Sequence, residues 1–169
     1  MSFWQKLFGG AKPPADERSA ATIDRAAPSD GGEVPYGIAD RPMPEGEDLD
    51  ILLPHRVGPY VREPVKPPTR KGHPIYANYR NGAATVFVEL GICASAGGAW
   101  MAVETAKAET SGEFPDIPQV VIRGRDVSCL RTVSPLGAFL AWTRGRYYFS
   151  AHAKGGEADL DAFVRAFPY

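Results

Sequence analysis

The sequence predicts an α+β domain, an antiparallel sheet with two amphipathic helices packed on it, preceded by a disordered arm. Three observations carry that expectation. Residues 75–80 and 83–90 are β-rich runs around Asn81-Gly82, and a second pair of runs flanks Arg144-Gly145-Arg146. Between and after these hairpins the apolar spacing lengthens to that of a helix. Before residue 51 the chain is acidic and rich in Pro and Gly.

Residues 1–10, MSFWQKLFGG, form a unit of their own. As a helix they would stack Phe3 on Leu7 and Trp4 on Phe8, with all four inside an arc of about 140°. So short a helix cannot stand alone in water. The segment is therefore a frayed terminus, an anchor on a lipid surface or partner, or a piece that docks back on the domain. Ser2, where N-myristoylation needs Gly, excludes that modification. Residues 11–50 hold Pro13-Pro14, Pro28, Gly31-Gly32, Pro35, Pro42 and Pro44, with few apolar groups larger than Ala. Such a stretch has little surface to bury against the loss of chain entropy, so it reads as a disordered linker.

The domain is expected over residues 51–169. An apolar lead-in through Ile51, Leu52, Leu53, Val57 and Tyr60 gives way to a basic, Pro-rich stretch over 62–72. In the first hairpin Val86, Val88 and Leu90 point one way, and Thr85, Phe87 and Glu89 the other. The Asn81-Gly82 pair suits a type I′ turn. Residues 96–109 carry Trp100, Val103 and Ala106 at helical spacing, with Ser111-Gly112 as the stop. Residues 119–127 read as a strand and 128–133 as its continuation after a bend. The second hairpin joins 138–142 to 147–151. Leu160, Phe163, Val164 and Phe167 then make a complete helical stripe over 157–167, with Glu157, Asp159 and Asp161 near its N-terminal end, where the dipole favours acids.

Charge divides the chain. Residues 1–50 carry 5 Lys and Arg against 10 Asp and Glu, and residues 51–169 carry 14 against 10. An acidic arm on a mildly basic body can fold back over it, and salt should then extend the arm. Phe3, Trp4, Leu7 and Phe8, with Arg123, Arg125, Arg144 and Arg146 on the later strands, are the candidate partner-binding residues. The bland alternative is a solvated, charge-protected sheet face. The modest positive charge and the lack of an RNP-like motif argue against nucleic acid.

Catalytic chemistry has little to stand on. His55, His73 and His152 fit no metal-ligand spacing, and no metal or other cofactor is expected. Ser95 and Ser134 have no elbow motif. Cys93 and Cys129 read as buried thiols that fill the core, with a single disulfide as the alternative. Gly97-Gly98 lacks the Lys-Ser/Thr pair of a phosphate loop and reads as a permissive helix entry, or as a helix N-terminus able to accept an anion. No secretory leader or membrane-spanning run is visible, so the expected location is cytoplasmic, or peripheral at the inner face of a membrane.

The stretches LLPHRVGPYVR, PIYANYRNGAATVFVEL and AGGAWMAVETAKAE, with the ending AWTRGRYYFSAHAKGGEADLDAFVRAF, resemble small bacterial domains of the Mog1/PsbP-like type over residues 51–169. That resemblance implies a sandwich around an antiparallel sheet and a role in binding, assembly or accessory work. It supplies no catalytic residue. The reading is a non-catalytic module that docks on a protein complex or membrane-associated partner, its N-terminal arm acting as a tether. The alternative is a small ligand-binding protein or enzyme with a pocket between the sheet and the C-terminal helix, lined by Tyr79, Arg123, Trp142 and His152.

Overall fold

The computed structural model describes residues 33–65, 68, 72–123 and 126–169. Phe3, Trp4, Leu7, Phe8, Arg125 and the arm up to residue 32 lie outside the described residues. Within them the α+β class holds. Eight strands, β1 (Arg56–Val57), β2 (Tyr60–Arg62), β3 (Ile75–Asn81), β4 (Ala84–Ile92), β5 (Gln119–Arg123), β6 (Ser128–Ser134), β7 (Gly137–Arg144) and β8 (Tyr147–Ala153), form one sheet. Its order is β1-β2-β3-β4-β8-β7-β6-β5, and every neighbouring pair is antiparallel. Two meanders, β1–β4 and β5–β8, therefore meet at the central β4–β8 pair.

The first hairpin turns one residue later than its sequence suggests. Asn81 pairs with Ala84, so the loop is Gly82-Ala83. Gly82 has φ +58°, while Tyr36 is the only residue other than glycine with positive φ among those described. A positive φ at the first loop residue alone is the sign pattern of a type II′ turn, not I′. Asn81 is spent on the ladder.

Strand alternation divides the core in two. On one face Tyr79, Val86, Val88, Leu90, Phe149, Ala151, Leu140 and Trp142 are buried with Leu160, Phe163 and Val164 of α3 (Glu157–Ala166). On the other, Leu130, Phe139, Ala141 and Tyr148 meet Ala99, Val103 and Ala106 of α2 (Ala96–Glu113). The stripe of α3 is the one its spacing predicts. Phe167 is buried just after the helix, and its ring stands edge-on to Trp142 and Phe149 at 5.7 and 5.5 Å.

The helix α2 departs from its predicted stripe. Its buried line is Ala99, Val103, Ala106 and Thr110, while Trp100 and Met101 stay 40% and 54% exposed. Small residues face the sheet because they let the helix sit close to it; the large apolar ones face away. Ser95 caps the helix, its Oγ accepting from Gly98 N at 3.2 Å. Ser111-Gly112 does not stop it. The helix runs to Glu113, and the Phe114 N–H closes the last turn on Thr110 O at 2.8 Å before Pro115.

The largest correction concerns residues 33–50, which composition assigns to the linker. They are docked on the α3 side of the sheet. Ile38 is fully buried there, as are Leu52 of α1 (Leu49–Leu52) and Leu53. Two short 3-10 turns that meet at a kink, together Pro35–Asp40, shape the approach, with Tyr36 and Gly37 at the kink both in the left-handed region. Arginines fix the rest by donating to main-chain carbonyls. Arg41 Nη1 donates to Val164 O at 2.8 Å and Phe167 O at 2.7 Å, capping the C-terminal end of α3 where the helix dipole welcomes a cation. Arg62 bonds Leu49 O and Leu53 O around α1 and pairs with Asp50 at 2.5 Å. A Pro/Gly-rich composition hid this because a few large side chains and borrowed cations suffice to hold an irregular strap.

Candidate functional site

The site predicted between the sheet and the C-terminal helix is filled. Tyr79 is fully buried against Phe163, ring centroids 5.0 Å apart, and its hydroxyl donates to Pro54 O at 3.0 Å. Trp142 is fully buried and stacks on Phe149 at 5.5 Å. His152 belongs to the opposite face, beside Phe87 at 6.5 Å. Tyr79 and Trp142 are therefore core residues, and His152 cannot join them in a pocket because strand alternation turns it away. Burial holds the His152 imidazole down at about 4, against a stabilising hydrogen bond with the Leu136 backbone.

The predicted arginines part company as well. Arg144 is only 3% exposed, donating to Ala39 O at 3.2 Å and to Arg41 O; it braces the strap and is not available to a partner. Arg123 is half-exposed, pairs with Glu104 at 3.1 Å and lies 5.7 Å from the Trp100 ring centre. Arg146 pairs with Glu47 at 3.3 Å and covers Tyr147. Acid from the N-terminal side does meet base on the domain, as the charge split suggests, through Glu47 and Asp50.

Two concavities stand out among the described residues, one against the uncovered half of the α2 face and one at the end of the sheet where α2 begins. The reason is topological. The chain leaves β4 at the centre of the sheet, and α2 carries it to β5 at the far edge, covering β5–β8 as it goes. Among the described residues, no helix covers β3 and β4 on this face. Tyr76, Asn78 and Arg80 of β3 and Thr85, Phe87 and Glu89 of β4 point out of it, and Tyr76 is 47% exposed.

The first concavity, a groove of about 520 Å³, runs between this open half and α2, lined by Tyr76, Glu89, Cys93, Thr105, Glu109 and Tyr148 among others. Burial first, and then the carboxylates of Glu89 and Glu109, together raise the Tyr76 phenol to about 12. Tyr148 is raised for the same reasons. Both phenols stay protonated donors. Cys93, expected in the core, is half-buried at this groove, with its thiol pushed up by burial. Cys129 is the core filler expected, its thiol raised to about 12 by burial, and the two remain unpaired thiols.

The second, about 490 Å³, lies at the start of α2, between the ends of β5, β6 and β7 and the strap; Ala96, Trp100, Arg123, Asp126, Ser128 and Arg144 line it. Glu89 was legible as an outward residue of its strand. Ser128 had no signal, since a lone Ser at a strand start carries none. Among the described residues, no group of three or more His, Cys, Asp or Glu could hold a metal ion, and no helix is long and apolar enough to cross a membrane.

Comparison with family models, with curated proteins and with solved structures finds no match to this chain.

Proposed function

We propose that the protein is a non-catalytic binding or accessory module that docks on a protein partner through the open half of its sheet. The observation that carries this is the asymmetry of the two faces. The centre of one is packed by α3 and the strap, with Val120 and Val133 left 48% and 40% exposed at its β5–β6 end, whereas the β3–β4 half of the other presents Tyr76, Phe87, Arg80, Asn78 and Glu89 with no helix over it among the described residues. Aromatic side chains with arginine, ringed by polar groups, are the composition that protein interfaces favour. The burial of Tyr79 and Trp142 on the α3 side counts against the small-ligand alternative.

Residues 1–10 act in this reading as a tether, a weak second contact that raises the effective concentration of the first. The partner is a protein complex, cytoplasmic or at the inner face of a membrane. The Mog1/PsbP-like sandwich belongs to the same proposal, supported by an antiparallel sheet with α3 on one face and α2 on the other.

Affinity capture from a native lysate tests it with three proteins: the full chain, a chain beginning at Glu33, and the full chain with Tyr76→Ala. Beginning at Asp50 would remove Ile38 and Arg41 and confuse tethering with unfolding. A partner captured by the full chain should bind about tenfold more weakly after Tyr76→Ala, and weaken again when residues 1–32 are absent. Retention unaffected by Tyr76→Ala would sink the docking surface, and retention unaffected by the truncation would sink the tether.

A further inference from the structure

β5 ends the sheet, and among the described residues no strand lies beyond it. The opposite edge is blunt: β1 is only Arg56–Val57, and Gly58-Pro59 follows at once. An edge strand exposes a row of unpaired N–H and C=O groups, which proteins guard with charge, proline, a bulge or short length. β5 has Pro118 before it and Arg123 at its end, but Val120-Val121-Ile122 between them carry no such guard.

The backbone groups that point outward can be assigned. Ser128, the neighbour of Arg123 across the β5–β6 ladder, sends its N–H the other way, to Thr143 Oγ1 of β7 at 2.9 Å. Residues of an antiparallel strand alternate between facing one neighbour and facing the other. Val120 and Ile122 therefore bond to Arg131 and Cys129 of β6, while the N–H and C=O groups of Gln119, Val121 and Arg123 point out of the edge.

This edge is complementary to itself. A twofold axis through the sheet at Val121 sets Gln119 against Arg123 of the other copy, Val121 against its own counterpart, and Val120 against the other Ile122. Outward backbone groups then meet outward backbone groups at every ladder position. No like charges face each other, since Arg123 meets a neutral amide and keeps its own Glu104 at 3.1 Å. An in-register parallel neighbour would stack Arg123 on Arg123. On the α3 side the axis joins exposed Val120 and Val133 and partly buried Ile122 of both copies into one apolar strip.

We propose that two copies of this chain join edge to edge through β5, antiparallel about Val121, as a weak twofold dimer with one continuous sheet. The contact lies at the far end of the sheet from the β3–β4 face and leaves that face open, so either can fail without the other.

The test is sedimentation equilibrium of the full chain with amide exchange on the same samples. Mass should rise from 18.3 kDa toward twice that value, with a dissociation constant of roughly 10–100 μM, because one short strand buries less than a standard interface. The amides of Gln119, Val121 and Arg123 should exchange at least about tenfold more slowly in the concentrated sample. Val120→Lys, at an exposed position, should weaken the dimer at least about tenfold with the melting temperature unchanged, since a twofold contact meets the change twice. Arg123→Pro should do the same by deleting an outward N–H, and Met101→Lys on the outer face of α2 should leave association intact. A chain that stays monomeric at about 1 mM overturns the proposal, as does a dimer indifferent to both β5 variants. Protection of the three amides that ignores concentration and disappears when residues 1–32 are removed gives the edge to the N-terminal arm, and overturns it too.

Discussion

Gly137 has φ +130°, and a Cβ there would fall 2.4 Å from Ala153 O and 2.9 Å from His152 Nε2. Neither neighbour can retreat, since one is main chain in the β7–β8 ladder and the other is packed beside Phe87. Gly137→Ala is therefore expected to cost roughly 2–4 kcal/mol in urea unfolding; a loss below about 0.5 kcal/mol would contradict the crowding. His152 beside it carries a pH dependence. Its folded value of about 4 lies below the ordinary 6.5, so between these values the unfolded chain binds the extra proton. Stability present above pH 6.5 should fall as pH drops toward 4, by on the order of 3 kcal/mol. Urea midpoints at pH 7 and 4.5 for the parent and for His152→Gln check this, and an unchanged difference in the variant counts against it. The thiols should separate in the same way: Cys93 labels slowly with a maleimide in the native protein, and Cys129 only on unfolding.

At the scale of elements, the strap over residues 33–50 belongs to the domain. Ile38→Ala should cost about 2–5 kcal/mol, the range for emptying a fully buried site. Arg41→Met leaves two helix-end carbonyls without their cation and should cost about 1–3 kcal/mol. Salt separates the strap from a charge-held arm. Glu47–Arg146 and Asp50–Arg62 are surface pairs that salt screens, whereas buried Ile38, Leu52 and Leu53 are indifferent to it. Amide exchange at Ile38 and Arg41 should thus stay protected at about 1 M salt. Protection lost with salt would return residues 33–50 to the charge-held arm that their composition suggests.

For the whole molecule, a chain beginning at Glu33 should unfold in one cooperative transition, and one beginning at Asp50 should melt at lower temperature or lack a transition. Much of this architecture was legible from local pattern. Alternation over residues 84–90 named the buried face of β4, and the 3.6-residue stripe of α3 named the residues that pack on it, because one-faced elements must show their period. The strap was not legible. Its anchors are Ile38, the partly buried Val34, Tyr36 and Leu49, and arginines that bond to carbonyls far along the chain, and no period marks such contacts. Nor was the filled state of the region around Tyr79 and Trp142, since a core aromatic and a pocket aromatic look alike until the opposing helix is placed. Most of the strands, the stripe of α3 and the split in charge follow from neighbours a few residues apart and so could be read locally. That β4 pairs with β8, that α2 covers half of one face, and that Arg144 reaches across to the carbonyls of Ala39 and Arg41 could be read from the fold alone. Those outcomes rest on contacts between residues distant in the chain, where local propensity has no voice.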